Sequence, residues 1–162
     1  MKKILFAASE AVPFMKTGGL ADVTGSLPKY FDKKNYDVRV ILPKYVCMEE
    51  RWKGQLHFLC HFYVNLSWRK QYVGIFETTY DGITYYLVDN EFYFAGNAPY
   101  NNIYEDVEKF AFFSKAVLEA LPYLDFCPDI IHCHDWQTGL LPVFLRTLYG
   151  DEEYYKDGIF HP

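Results

Sequence analysis

Lys3-Ile4-Leu5-Phe6-Ala7-Ala8, followed by Lys16-Thr17-Gly18-Gly19-Leu20-Ala21-Asp22-Val23, is the stretch that decides the fold. The first run is short and continuously apolar, the pattern of a strand buried on both faces. Asp37-Val38-Arg39-Val40-Ile41-Leu42 is a second such strand, ending at Pro43. Between them Leu20, Val23, Leu27 and Phe31 recur at helical spacing and are expected to form the buried face of a helix. Pro28 lies inside that stretch, so it must kink the helix or open a second one with Ser26 as its cap. Strand, glycine loop, helix, strand is a βαβ unit, and parallel pairing with a right-handed crossover follows.

Further along, the texture changes. Tyr72–Tyr80 and Ile83–Val88 are rich in β-branched and aromatic residues and flank Asp81-Gly82, a strong two-residue hairpin signal. Leu56 to Leu66 supplies a third strand, so a small meander is expected. Asp89 to Asn102 carries Asn, Gly, Pro and aromatics and reads as a long loop, either a functional lid or a mobile segment. Val107, Phe110, Ala111, Ser114, Val117, Leu118 and Leu121 trace one helix face, and Pro122 stops that helix. Asp129-Ile130-Ile131-His132-Cys133-His134 reads as another buried strand, and Gln137 to Leu148 as the helix after it. Ile159-Phe160-His161-Pro162 reads as the start of a further element. The sum is an α/β chain.

Composition narrows the classes. A length of 162 residues suits one domain with its own core. Aromatic residues make up 20%, mostly Tyr and Phe, and core packing is their commoner use, with a carbohydrate groove as the alternative. The net charge of −5 and the lack of a basic face speak against nucleic acid as a partner. Any anionic ligand must therefore be captured by a local site. Cys47, Cys60, Cys127 and Cys133 form no C-x-x-C pair, and Cys127 and Cys133 are expected to be small buried hydrophobes. The N-terminal apolar run is too short for a signal peptide, and no window approaches a membrane span. The expectation is a cytoplasmic protein without a membrane partner.

Two constellations carry chemistry. In an open α/β sheet, ligands bind beyond the carboxyl ends of the strands, at helix N-termini. Gly18 and Gly19 lack Cβ atoms, so their amides can approach an anion at the positive end of the following helix. Lys16 supplies a mobile point charge. Asp22 in the first helical turn and Glu10 at the strand end are candidate acceptors of sugar hydroxyls. The order of residues fits neither a P-loop nor the dinucleotide fingerprint. An ordinary βα turn with an incidental lysine is the alternative.

The second constellation is His132-x-His134-Asp135. Two histidines at alternate positions share a face and offer a metal pair, but His161 is the only later histidine. Structural or sugar contacts from His134 and Asp135 are favoured over metal, with His132 read as a buried histidine, and Asp135 can cap the next helix. Lys16-Thr17-Gly18 and Ser67-Trp68-Arg69-Lys70 match the boxes of penicillin-binding enzymes in reversed order, with no S-D-N box, and are set aside.

Lys16-Thr17-Gly18-Gly19-Leu20-Ala21-Asp22-Val23 resembles the N-terminal signature of bacterial glycogen synthases and plant starch synthases. Its context agrees: Ser9-Glu10-Ala11-Val12-Pro13-Phe14 upstream, Leu27-Pro28 downstream, then Val38-Arg39-Val40-Ile41-Leu42-Pro43. His132-Cys133-His134-Asp135-Trp136-Gln137-Thr138-Gly139-Leu140 resembles that family's H-x-H-D-W-x-x-G-L segment. The match is colinear from Met1 to about Leu148.

The resemblance implies the Rossmann-like N-terminal domain of a GT-B glycosyltransferase, with a mostly parallel sheet, helices on both faces and a β-hairpin or meander insertion. It implies a retaining transfer of glucose from ADP-glucose, or UDP-glucose in some members, to the non-reducing end of an α-1,4-glucan, with no metal or other cofactor. It makes Lys16 the ligand of the donor diphosphate, with the Gly18 and Gly19 amides beside it. Glu10 and Asp135 fall where the family contacts glucose and lines the cleft, and Tyr100 near the donor sugar or acceptor. The family's strand ending in His-Asn should follow shortly after Ile159, and its second, C-terminal nucleotide-binding domain supplies an Arg, a Lys and a Glu. Residues 1–162 are thus expected to be a truncated N-terminal domain, inactive alone, with the catalytic residues elsewhere. The alternatives are a stand-alone sugar-phosphate or glucan-binding module, and a metal-dependent hydrolase using His132 and His134.

Overall fold

Six strands form one sheet in the computed structural model, which describes residues 1–156. They are β1 (Lys2–Ala7), β2 (Tyr36–Pro43), β3 (His57–Leu66), β4 (Arg69–Tyr80), β5 (Ile83–Asp89) and β6 (Ile130–Cys133), in the order β3-β4-β5-β2-β1-β6. β1 pairs in parallel with β2 and with β6, and β2 in parallel with β5. β4 pairs antiparallel with both β5 and β3. The expected meander therefore extends the parallel sheet as an antiparallel wing, with β5 belonging to both. Asp81 and Gly82 both have positive φ, 49° and 74°, as a two-residue hairpin turn between twisted strands requires.

The helices are α1 (Gly19–Ser26), α2 (Glu50–Lys53), α3 (Ile103–Ala120), α4 (Leu140–Thr147) and α5 (Glu153–Lys156). Alternation along the strands sends side chains to two layers. Leu5, Ala7, Ile41, Tyr86 and Val88 pack with Phe112, Phe113, Ala116 and Val117 of α3. Ile4, Phe6, Val38, Val40 and Leu42 face the other way, against Phe14, Met48, Phe31 and Trp52 of α2. Both faces of β1 and of the central part of β2 are thus dry, which is why the two read as continuous apolar runs.

Four expectations need correction. The buried residues of α1 are Ala21, Thr24 and Gly25, while Val23 and Leu27 are 49% and 37% exposed. The loop after β1 folds back on α1, and only small residues fit beneath it. A Cβ on Gly25 would lie 2.4 Å from Val12 Cγ2, and Thr24 donates its hydroxyl to the Glu10 carbonyl at 2.6 Å. Pro28 does end α1 and opens a 3-10 turn at Leu27–Tyr30, but Ser26 makes no side-chain cap. β6 is an edge strand, not one buried on both faces: Ile130 and His132 are exposed, because among the described residues nothing pairs with its outer side. Cys127 is exposed and Cys133 half-buried, so neither is the fully buried hydrophobe expected.

The loop from 90 to 102 is pinned at both ends. Asn90 is buried, accepts from the amides of Phe92 and Tyr93 at 2.9 Å each, and donates to the Tyr72 carbonyl at 2.7 Å. Tyr93 stacks on Phe112 at 4.6 Å. At the other end, Asn102 caps α3 and Asp106 accepts from the Asn101 amide. Lys109, also buried, ties Asp106 to the Pro99 carbonyl. These anchors favour a fixed loop over a mobile one. Residues 159–162, where a further element was expected, lie outside the described residues, as does His161.

Candidate functional site

β1 and β6 are neighbours, so the loops leaving Ala7 and Cys133 start side by side at the carboxyl edge of the sheet. The His134 amide donates to the Ala7 carbonyl at 3.1 Å and locks the two exits together. Between Ala8 and α1 the chain makes a compact return. Thr17 donates from its amide and its hydroxyl to Glu10 Oε2, at 2.9 and 2.6 Å. Glu10 is 2% exposed, so a buried carboxylate shapes the loop that carries Lys16 and the two glycines. Sequence reasoning missed Thr17 in this part, because the pairing depends on how the loop turns back.

Gly18 stands just ahead of α1 in an extended conformation and Gly19 is its first residue. Neither conformation nor crowding demands glycine here. A Cβ on Gly19 would meet nothing within 4 Å, and one on Gly18 would make only an ordinary contact at 3.9 Å with Glu10 Oε1. What glycine provides is unobstructed access to the amides at the positive end of the helix. Lys16 Nζ lies 2.8 and 2.7 Å from the two carboxylate oxygens of Asp22, and both side chains are about half exposed. Such a pair is worth about 0–1 kcal/mol and yields readily to a ligand of higher charge.

Tyr100 enters from the pinned loop. Its hydroxyl shares a 2.7 Å hydrogen bond with Ser9 Oγ, and Tyr45 donates to the Ser9 carbonyl at 2.7 Å. Burial pushes the Tyr100 hydroxyl up to about 12, the hydrogen bonds of Ser9 and Thr17 oppose the rise, and the negative charges of Glu10 and Asp135 add to it. Glu10, Tyr100 and Asp135 are thus within electrostatic reach of one another. Ser9 and Tyr45 had no sequence signal, since they lie far from Tyr100 along the chain.

On the β6 side, His134 is buried and His132 exposed, the reverse of the expected burial of His132. The two rings lie 4.3 Å apart, and each packs on Phe6 at 4.9 Å. Burial, reinforced by His132, lowers His134 to about 4 and keeps it neutral. Among the described residues the pair has no third ligand with which to hold a metal. Asp135 has φ 63° and ψ −177°, a region that non-glycine residues rarely occupy, and its carboxylate caps the next turn by accepting from the Trp136 amide at 2.7 Å. Thr138 holds this strained corner by donating to the His134 carbonyl at 2.9 Å. The expected cap is present, but the expected helix divides into a 3-10 turn, Trp136–Thr138, and α4.

Fold and site define a Rossmann-like α/β domain whose polar groups converge at the carboxyl ends of two adjacent parallel strands. The chain belongs to the starch synthase catalytic domain family, matching it over residues 3–159. It is 66% identical to the glycogen synthase of Lachnoclostridium phytofermentans over 155 residues, covering 96% of this chain and 32% of that protein. The glycogen synthase of Lachnospira eligens is 61% identical over 156 residues, with 96% and 33% covered. The solved catalytic domain of starch synthase IV from Arabidopsis thaliana, bound to ADP and acarbose, superimposes with a TM-score of 0.80 at 30% identity, over 92% of this chain and 31% of that one. The fold is that of the GT-B starch synthases. The chain spans about a third of the length of the curated relatives it matches. No described helix is long and apolar enough to cross a membrane.

Proposed function

We propose that this chain forms the donor- and acceptor-binding N-terminal part of a cytoplasmic glycogen synthase. The whole protein would transfer glucose, with retention, from ADP-glucose or UDP-glucose to the non-reducing end of an α-1,4-glucan. The observation that carries this reading is the pairing of Lys16 with an unobstructed glycine helix start at the carboxyl edge of a parallel sheet. A diphosphate brings more charge than the single carboxylate of Asp22, so it competes for Lys16 and frees Asp22 for a sugar hydroxyl. Lys16 and the Gly18 and Gly19 amides then stabilise the leaving diphosphate as charge develops on it. Glu10 shapes this loop through Thr17, and Tyr100, His134 and Asp135 line the sugar side. Family membership and the ADP-bound plant neighbour support the assignment.

In this reading residues 1–162 belong to the first of two domains, and the second supplies the remaining groups that contact the donor. The chain alone is then inactive. The test is a chimera in which this chain replaces the corresponding third of the Lachnoclostridium phytofermentans enzyme. Glucan extension with ADP release, abolished by Lys16→Ala, is the expected result. A folded chimera that releases no ADP, beside an active parent enzyme, would overturn the proposal.

A further inference from the structure

The two edges of the sheet differ. β6 is four residues long, whereas β3 on the opposite edge is ten. Among the described residues no strand pairs with the outer side of β3. Exposed edges are ordinarily blunted by charge or proline, because their free N–H and C=O groups invite further pairing. β3 has neither: from Gly54 to Trp68 there is no Asp, Glu, Lys, Arg or Pro. Its solvent face instead carries Phe58, His61 and Tyr63, all exposed, with His61 stacked on Tyr72 of β4 at 5.9 Å. None of these residues belongs to the site at the strand ends.

Two features bound the open stretch. The pairing of β3 with β4 shifts by one residue between Phe58 and Cys60, a bulge at Leu59 that bends the strand. At the other end Ser67 and Trp68 make the turn, and Leu66 faces Arg69. In a two-residue hairpin the residues flanking the turn exchange both backbone bonds, and bonded pairs alternate from there. Leu66, Val64 and Phe62 therefore bond to β4, while Asn65, Tyr63 and His61 turn their N–H and C=O groups outward. Lys115 of α3 agrees with this register, because it donates to the Asn65 carbonyl from outside the ladder.

The stretch from Cys60 to Leu66 matches its own reverse. Turned about Tyr63, it sets Cys60 opposite Leu66, Phe62 opposite Val64 and His61 opposite Asn65, with Tyr63 opposite itself. Cys60, Phe62, Val64 and Leu66 all belong to the layer packed with α3, so on that face apolar residues meet apolar residues. On the solvent face His61 and Asn65 offer each other donors and acceptors, and Tyr63, 54% exposed, meets a second tyrosine ring. No like charges meet. The backbone agrees as well, since residues 61, 63 and 65 are the ones that pair with one another and the ones that point outward. The Asn65 carbonyl can accept from a second strand as well as from Lys115, because it has two lone pairs.

We propose that β3 is a dimerisation edge: a second copy of this chain pairs with it antiparallel, about a two-fold axis at Tyr63, and joins two six-stranded sheets into one. The occupant is a second copy because the strand complements itself in polarity, charge and backbone register. Such a contact uses the same patch on both partners and closes on itself. It lies at the opposite edge of the sheet from β6 and leaves the strand-end site open.

Sedimentation equilibrium of the 162-residue chain tests this. The wild type is expected to show a monomer–dimer equilibrium with no larger species. Tyr63→Lys and Tyr63→Glu each place like charges opposite one another across the axis, and each should weaken the dimer about tenfold. Diluted to where the wild type is monomeric, both variants should melt with it, since position 63 is exposed in the monomer. An equimolar mixture of the two variants should regain at least the wild-type affinity, because only pairing about residue 63 brings their opposite charges together. A wild type that stays monomeric up to about 1 mM would overturn the proposal and leave the edge to a different partner. Dimers that neither variant weakens, open-ended growth, or a mixture that associates no more tightly than the single variants would each overturn it too.

Discussion

The loops that leave β1 and β6 begin side by side, yet they hold their polar groups in opposite ways. After β1, the groups meant for a ligand stay at the surface: Lys16 and Asp22 are half exposed and occupy each other, and Gly19 faces open space. The cost is carried underneath, by buried Glu10 bonded to Thr17 and by Gly25 pressed against Val12. After β6, the cost sits in the loop itself, where His134 is buried and neutral and Asp135 is backbone-strained. The first loop is an adjustable electrostatic cradle on a rigid support; the second is a fixed corner that aims one carboxylate.

Breaking the support of the first loop should have the largest effect. An alanine at Gly25 would put its Cβ 2.4 Å from Val12 Cγ2 and 2.5 Å from the Val12 carbonyl, and backbone does not yield as a flexible side chain does. Gly25→Ala should cost about 3 kcal/mol. A urea midpoint like that of wild type would show that the loop is not seated on α1 as described.

The second loop should be sensitive to pH instead. The folded protein keeps His134 neutral down to about pH 4, whereas in the unfolded chain it takes up a proton near 6.5. The stability tied to neutral His134 is therefore full above pH 6.5 and is lost as pH falls toward 4, by on the order of 2–3 kcal/mol. Between pH 7 and pH 4.5 the urea midpoint should fall further for wild type than for His134→Gln. An equal fall in both proteins would remove His134 as the cause.

These two loops also mark what the sequence made legible. Lys16, Gly18, Gly19 and Asp22 are close in sequence and act through local geometry, so their order alone suggested an anion site. The same holds for Asp81-Gly82, whose turn chemistry dictates the hairpin. Gly25 gave no such signal, because its importance comes from Val12 folding back from the previous loop. The apolar spacing of Leu20, Val23 and Leu27 pointed to the wrong face of α1 for the same reason: a close approach selects small residues over large ones. The hydrogen bond between Ser9 and Tyr100 joins positions 91 residues apart, a distance that no local pattern spans. The apolar run of β6 showed a strand but not its place at the edge, since burial depends on what lies beside it.

The most direct measurement is calorimetric titration of ADP into the wild-type chain and into Lys16→Ala. If the first loop is the donor cradle, the wild type binds ADP and the variant binds about tenfold more weakly, roughly 1.4 kcal/mol for one charge-assisted contact. The difference should shrink as salt is raised, since the lysine is exposed. Equal affinity in the two proteins would contradict a role for Lys16 in holding the diphosphate.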